Sequence, residues 1–181
     1  MIFEESRLRF EFNAQYWNMI QYDNHPDYLY VSSKLQGTKA VDFLGFYQQR
    51  LIMFEIKNFR GFGNQGNVQQ RLCNSMDELT TEIAQKVRDT IAVITGLGRS
   101  RKNDFWKKVF CHVADNNFIT IIAWVEEDTN GSLKKRKKNE MSVRRDFLAK
   151  KLNWLTGSNS ISIDNIKEQH FRFEGFSVSS I

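Results

Sequence analysis

The feature that most constrains this chain is an apolar stretch, residues 39–59, that carries three charges at fixed places. It reads KAVDFLGFYQQRLIMFEIKNF, two apolar runs on either side of a Gln-Gln pair. Runs of this length, rich in aromatic and β-branched residues, predict two strands joined as a hairpin. Asp42, Glu55 and Lys57 fall within these runs. A charge buried there needs a partner, so any fold of this chain must supply one.

The spacing of the three charges predicts that they gather at one end of the hairpin. If the turn centres on Gln48-Gln49, Asp42 lies directly opposite Glu55, with their Cβ atoms about 5 Å apart. Lys57 is two residues beyond Glu55 and therefore points to the same face. A four-residue loop keeps this register, whereas a three-residue loop would send Asp42 to the opposite face.

Two opposed carboxylates repel each other, so the cluster needs positive charge. Lys57 alone could supply it, which would make the cluster a structural ion pair network. The alternative is a divalent cation, for which hard oxygen ligands favour Mg²⁺ or Mn²⁺. Such an ion keeps several waters, and beside a lysine it can activate water and bind a phosphate oxygen. The pattern is therefore compatible with a hydrolytic site.

The segments around the hairpin predict an α/β (α+β) fold in which helices flank one central mixed β-sheet. We expect a strand at 7–12, followed by helices at 26–36, at 77–95, ended by Gly96 and Gly98, and at 143–155. The hairpin at 39–59 and a strand at 118–127 separate these helices, and strands in SISI and FRFEGFSVSSI follow them. A basic turn, GRSRKNDFWKK, is expected after the second helix. The continuous apolar run at 118–127 is typical of a strand buried on both faces. With no linker, residues 1–181 are expected to form a single domain.

The net charge of +5 is concentrated in one segment, residues 134–151, which has nine Lys or Arg and two acids. A patch of this kind suits a polyanion such as nucleic acid, although it is also compatible with a solvated loop. The candidate nucleic-acid-binding residues are Arg60, Lys134, Lys135, Arg136, Lys137, Lys138, Arg144 and Arg145.

Several classes of protein are disfavoured. No stretch approaches the roughly 20 apolar residues of a membrane span. The start, MIFEESRLRF, is charged where a secretory signal needs an apolar run. Cys73 and Cys111 are isolated, which argues against a disulfide framework or a zinc site. We therefore expect a cytoplasmic protein with no membrane partner.

The hairpin also carries a recognisable motif. VDFLGF, with Asp42, followed by LIMFEIKNF, with Glu55-Ile56-Lys57, resembles the D…ExK signature of the PD-(D/E)XK nuclease superfamily. The resemblance covers about residues 25–127 and implies a restriction-endonuclease-like core. By this resemblance, Asp42 and Glu55 bind Mg²⁺ or Mn²⁺ with the Ile56 backbone carbonyl as a third ligand, and Lys57 is the catalytic lysine. Val41 precedes Asp42 where many members have Pro.

Two further positions follow from the resemblance. Members often add an acid from the first helix, which is Asp27 if that helix is 26–36 and Glu5 if it lies earlier. Some members use a Gln on the helix after the hairpin. Gln85 lies there, but its helical angle places it opposite the apolar stripe, so we expect it at the surface.

The resemblance implies a magnesium-dependent endonuclease that acts on nucleic acid, with DNA favoured over RNA, and it leaves open a homodimer. The alternative is a non-catalytic module on the same fold that binds nucleic acid or a partner protein, because folds are often retained while their functions change.

Overall fold

The computed structural model describes residues 1–61, 76–100, 103–115, 117–128 and 134–181. Its strands are β1 (Ile2–Glu5), β2 (Leu8–Phe12), β3 (Trp17–Gln21), β4 (Phe43–Tyr47), β5 (Arg50–Asn58), β6 (Ile119–Glu126), β7 (Ile161–Asp164) and β8 (Phe176–Ser180). Its α-helices are α1 (Pro26–Lys34), α2 (Met76–Ser100), α3 (Asp104–Ala114) and α4 (Lys134–Leu152). The chain therefore combines helices and strands, as the sequence predicted.

The main sheet is mixed and contains five strands in the order β3-β4-β5-β6-β7. Strands β3, β4 and β5 are antiparallel neighbours, whereas β5, β6 and β7 run parallel. Every residue of β6 is buried, which confirms the predicted central strand. Such parallel neighbours need a crossover connection, and helices provide it here.

Helices cover one face of the main sheet. Leu44, Met53 and Ile121 of the sheet share an apolar core with Ile83 of α2 and Leu148 of α4. Because side chains alternate along a strand, residues of β5 with odd numbers face α2. This alternation directs Glu55 and Lys57 toward the same helix.

The predicted central mixed sheet is confirmed, but helices do not flank it on both faces, because a second sheet with the order β1-β2-β8 covers the other face. The predicted strand at 7–12 does form, as β2, but it alternates buried and exposed residues and has only one apolar face. That face packs on the main sheet through aromatic rings, with Phe10 and Phe43 centroids 5.2 Å apart and Phe10 and Trp124 centroids 5.8 Å apart. A strand with one polar face is suited to such an outer layer.

Helix α2 does not end at Gly96 and Gly98, as the sequence predicted, but continues to Ser100. A Cβ atom at Gly98 would lie 2.2 Å from Phe110 Cβ, so glycine there allows α3 to approach α2 closely. Helix α3 itself was not predicted, since its sequence was interpreted as a basic turn. Its first turn is capped by Asn103, whose side chain accepts a hydrogen bond of 2.8 Å from Phe105 N.

Helix α4 begins nine residues earlier than predicted, at Lys134, and ends at Leu152. The basic segment is therefore largely helical, in keeping with the good helix propensity of Lys and Arg. Of the two cysteines, Cys111 is exposed on α3 and Cys73 lies outside the described residues. Within the described ranges, no helix combines the length and apolarity needed to cross a membrane.

Candidate active site

The hairpin formed by β4 and β5 has the predicted register. Phe43 lies opposite Phe54, and Tyr47 lies opposite Arg50. Gln48 and Gln49 connect the strands, and Gln48 adopts a positive φ of 54°. Asp42, Glu55 and Lys57 consequently lie at the end of the hairpin away from the turn.

Two of these residues are among the most buried charged groups of the described chain. Asp42 is 6% exposed and Glu55 is 1% exposed. Lys57 Nζ lies 3.1 Å from Glu55 Oε1. The structure therefore brings together the three residues that the sequence singled out.

Asp42 is nevertheless placed differently from the expected opposition with Glu55. It precedes β4, and its backbone N donates a 3.0 Å hydrogen bond to Phe54 O while its backbone O accepts a 2.8 Å hydrogen bond from Tyr22 N. Its side-chain Oδ2 accepts a 2.5 Å hydrogen bond from Ile56 N. Phe54 and Tyr22 thus hold the Asp42 backbone, and the Ile56 N–H holds its carboxylate at the edge of β5.

The position of Ile56 bears on the predicted third ligand. The N–H and C=O groups of one strand residue point to the same side of the strand. Because Ile56 N–H is directed at Asp42, the Ile56 carbonyl faces the same edge, where β4 has ended. This is the edge at which the resemblance expects an oxygen ligand.

Helix α2 adds a second lysine, Lys86, which the sequence analysis did not identify. Its Nζ lies 2.7 Å from Glu55 Oε1 and 3.4 Å from Asp42 Oδ1, so it bridges the two carboxylates. Lys86 follows the buried Ile83 by three residues and therefore lies on the same side of the helix. The sequence does contain one indication of this role, since Lys86 lies at the border of the apolar stripe of its helix.

Lys57 has a second partner on the same helix. Its Nζ lies 2.8 Å from Glu82 Oε1, so Lys57 stands between Glu82 and Glu55. Glu82 and Lys86 are four residues apart and face the hairpin together. Helix α2 therefore positions both lysines against Glu55.

Burial dominates the ionisation of Glu55. Burial first and the charge of Asp42 second raise the pKa of Glu55 to about 8, against the opposing effects of Lys86 and Lys57. The ammonium groups of Lys57 and Lys86 both contact Glu55 Oε1. Glu55 Oε2 is buried and has no hydrogen-bond partner among the described residues. The site therefore contains a buried oxygen that can still accept a proton or a cation.

Burial and neighbouring charges also shift the pKa values of Asp42, Lys57 and Lys86. Burial raises the pKa of Asp42, against the effects of Lys86 and the Ile56 N–H. Burial alone would lower the pKa of Lys57 and of Lys86, but the neighbouring carboxylates outweigh it and raise both pKa values. The carboxylates therefore favour the cationic form of both lysines.

A third acid, Asp23, lies near the cluster and was not predicted. Burial, together with the charges of Asp42 and Glu5, raises the pKa of Asp23 to about 6. Glu5 likewise raises the pKa of Asp42, so it too lies close to the site. Asp27, the alternative from the first helix, instead accepts a 2.7 Å hydrogen bond from Trp106 Nε1.

The donor set fits a hard divalent cation. It offers two carboxylates and a strand-edge carbonyl, and Glu55 Oε2 supplies a buried oxygen still open to a ligand. Oxygen ligands from one or two carboxylates are typical of Mg²⁺, which completes its shell with water. In the part of the chain that is described, no group of three or more His, Cys, Asp or Glu residues is arranged around one point.

A cavity of about 610 Å³ opens beside Lys57, lined also by Lys39, Phe59 and one side of α2. Gln85 belongs to this lining, and its Oε1 accepts a 2.9 Å hydrogen bond from Lys39 Nζ. The expected surface position of Gln85 is thus at the rim of the cavity. A substrate group that enters the cavity would meet Lys57.

Of the predicted nucleic-acid-binding residues, the structure describes the side chains of Arg60, Arg144 and Arg145. Arg60 pairs with Glu126 and donates a 2.6 Å hydrogen bond to Ser180 Oγ. Arg144 is 2% exposed and pairs with Glu127, so its guanidinium is held inside the protein. Arg145 is partly exposed. The backbone of Lys134–Lys138 opens α4, and their side chains lie outside the described part of the structure.

The C-terminal end of α4 lies close to the cavity. Lys151 Nζ is 2.8 Å from Asp77 Oδ1, and Asp77 lines the cavity from the start of α2. The basic helix is therefore a neighbour of the candidate site.

Comparison of the chain with family models, with curated proteins and with solved structures finds no match.

Proposed function

We propose that this protein is a metal-dependent nuclease that hydrolyses phosphodiester bonds of DNA. The observation that carries the proposal is the convergence of Asp42 and Glu55 with Lys57 at the open end of a buried hairpin. The resemblance of the hairpin to the PD-(D/E)XK motif concerns the same three residues and suggests their roles. Helix α1, the hairpin, α2 and the parallel strand β6 have the order of a restriction-endonuclease-like core, and we assign the chain to that core within this proposal.

In the proposed site, Asp42, Glu55 and the Ile56 carbonyl hold Mg²⁺ or Mn²⁺. When bound, such an ion lowers the pKa of a water molecule and polarises a phosphoryl oxygen. Burial of both carboxylates strengthens their attraction for a cation, because nearby water screens them little.

Lys57 acts as a cation and hydrogen-bond donor in this proposal. Glu55 and Glu82 hold its ammonium between them, which fixes its position at the cavity wall. There it can orient the attacking water or stabilise negative charge that develops on the phosphate. Its raised pKa favours this cationic form.

The test is cleavage of plasmid and of single-stranded DNA with Mg²⁺ or Mn²⁺, against EDTA. We expect Asp42→Asn, Glu55→Gln and Lys57→Met to abolish cleavage. Lys107→Met is the matched control, since Lys107 is an exposed lysine on α3 and is not among the residues of the proposed site. Undiminished cleavage by Asp42→Asn and Lys57→Met would refute the proposal.

A second candidate is a nucleic-acid- or partner-binding module without hydrolysis. It is favoured by one observation, namely that Lys57 and Lys86 already place two cations against the carboxylates. This candidate predicts salt-dependent binding that is lost when Lys134–Lys138 are neutralised, with no metal-dependent cleavage.

A further inference from the structure

The ammonium of Lys86 stands between the two carboxylates of the site. It lies 2.7 Å from Glu55 Oε1 and 3.4 Å from Asp42 Oδ1. Lys57 also contacts Glu55, at 3.1 Å, but its other side is bound to Glu82. Lys86 is therefore the lysine that links Asp42 to Glu55.

This position conflicts with a divalent ion shared by the same residues. An Mg²⁺ ion bound to Glu55 Oε1 and Asp42 Oδ1, the two oxygens that Lys86 contacts, would lie about 2.1 Å from both oxygens. The Lys86 ammonium already occupies the region between them, and two positive centres so close together repel strongly in a buried site. The lysine and the metal therefore cannot both hold these positions.

We propose that Lys86 is the resident counter-ion of the site and that a divalent cation binds by displacing its ammonium. This inference rests on the metal site of the proposed function. The side chain of Lys86 is 19% exposed and ends a flexible four-carbon stem, so the ammonium can withdraw while α2 stays in place. Lys86 thus stabilises the metal-free protein and lowers its affinity for metal.

The test is calorimetric titration of Mn²⁺ into metal-free wild type, Lys86→Met, Lys86→Gln and the matched control Lys57→Met. We expect both Lys86 variants to bind Mn²⁺ about fivefold more tightly or better, the lower range for coupled ligands. We expect a smaller change in Lys57→Met, which removes the same charge but not the bridge. In EDTA, the Lys86 variants should melt at a lower temperature and gain more from Mn²⁺ than wild type.

Equal or weaker Mn²⁺ binding by folded Lys86 variants, alongside binding by wild type that Asp42→Asn removes, would overturn this inference and leave the proposed function standing. Absence of Mn²⁺ binding by wild type would overturn both. If neither Lys86 variant folds, NMR of lysine-labelled wild type replaces them. Mg²⁺ should then shift the Lys86 side-chain resonance more than that of Lys57, and an unchanged Lys86 resonance would overturn the inference.

Discussion

The carboxylate of Asp42 accepts a 2.5 Å hydrogen bond from the backbone N–H of Ile56, the residue between Glu55 and Lys57. This contact joins the first acid of the motif to the backbone that carries the other two residues. It also means that the separation of Asp42 and Glu55 depends on β5 itself and not on side-chain repulsion alone.

We therefore expect Asp42→Asn and Asp42→Ala to differ in stability, but both to lose DNA cleavage. The Asn side chain keeps an oxygen that can accept from Ile56 N–H, whereas Ala leaves that buried donor unpaired at a cost of about 1–3 kcal/mol. Both variants lose a charged ligand, and we expect cleavage to fall by about a hundredfold or more. Urea denaturation and DNA cleavage check the two expectations. Equal stability of the two variants would contradict the role given to the hydrogen bond.

Glu55 should make the metal-free protein less stable as pH rises. Its pKa is raised from 4.5 to about 8 by burial and by Asp42, so the folded state favours the protonated carboxyl. The stability due to this group is complete below pH 4.5 and is lost as pH rises toward 8. In EDTA, the free energy of unfolding of wild type should fall relative to Glu55→Gln across this window. A difference that stays constant with pH would contradict the burial effect.

Gly98 and Gly96 should respond in opposite directions to substitution by alanine. A Cβ at Gly98 would collide with Phe110, so Gly98→Ala should destabilise the protein by about 1–3 kcal/mol. A Cβ at Gly96 has no atom within 4 Å, and Gly96→Ala should stabilise the helix by about 0.5–1 kcal/mol. Thermal and urea denaturation of the pair measure both effects, and similar values would contradict the close packing of α2 on α3.

Arg145 should contribute to DNA binding through charge alone. It is partly exposed on α4, whereas its neighbour Arg144 is buried and paired with Glu127. Arg145→Gln should reduce the slope of log binding constant against log salt by about 1, as expected for one lost phosphate contact. The exposed Arg9 on β2 provides the control, and Arg9→Gln should leave the slope unchanged. An unchanged slope in Arg145→Gln would remove Arg145 from the proposed interface.

Much of the hairpin was predictable because its signals are local. The alternation of side chains and the position of the turn relate Phe43 to Phe54 without any knowledge of the rest of the chain. The same holds for the buried strand β6, whose apolar run is continuous.

The sequence by itself determined the hairpin and, for a turn centred on Gln48-Gln49, the end at which Asp42, Glu55 and Lys57 meet, whereas the structure decided between the two loop lengths. Only the tertiary structure decided that Lys86 and Glu82 face them, since those contacts depend on how α2 packs across the sheet. The second sheet could not be predicted from local signals either, because the pairing of β2 with β8 joins segments more than 160 residues apart in the sequence. Periodicity reports which face of an element is buried, but it does not report what covers that face.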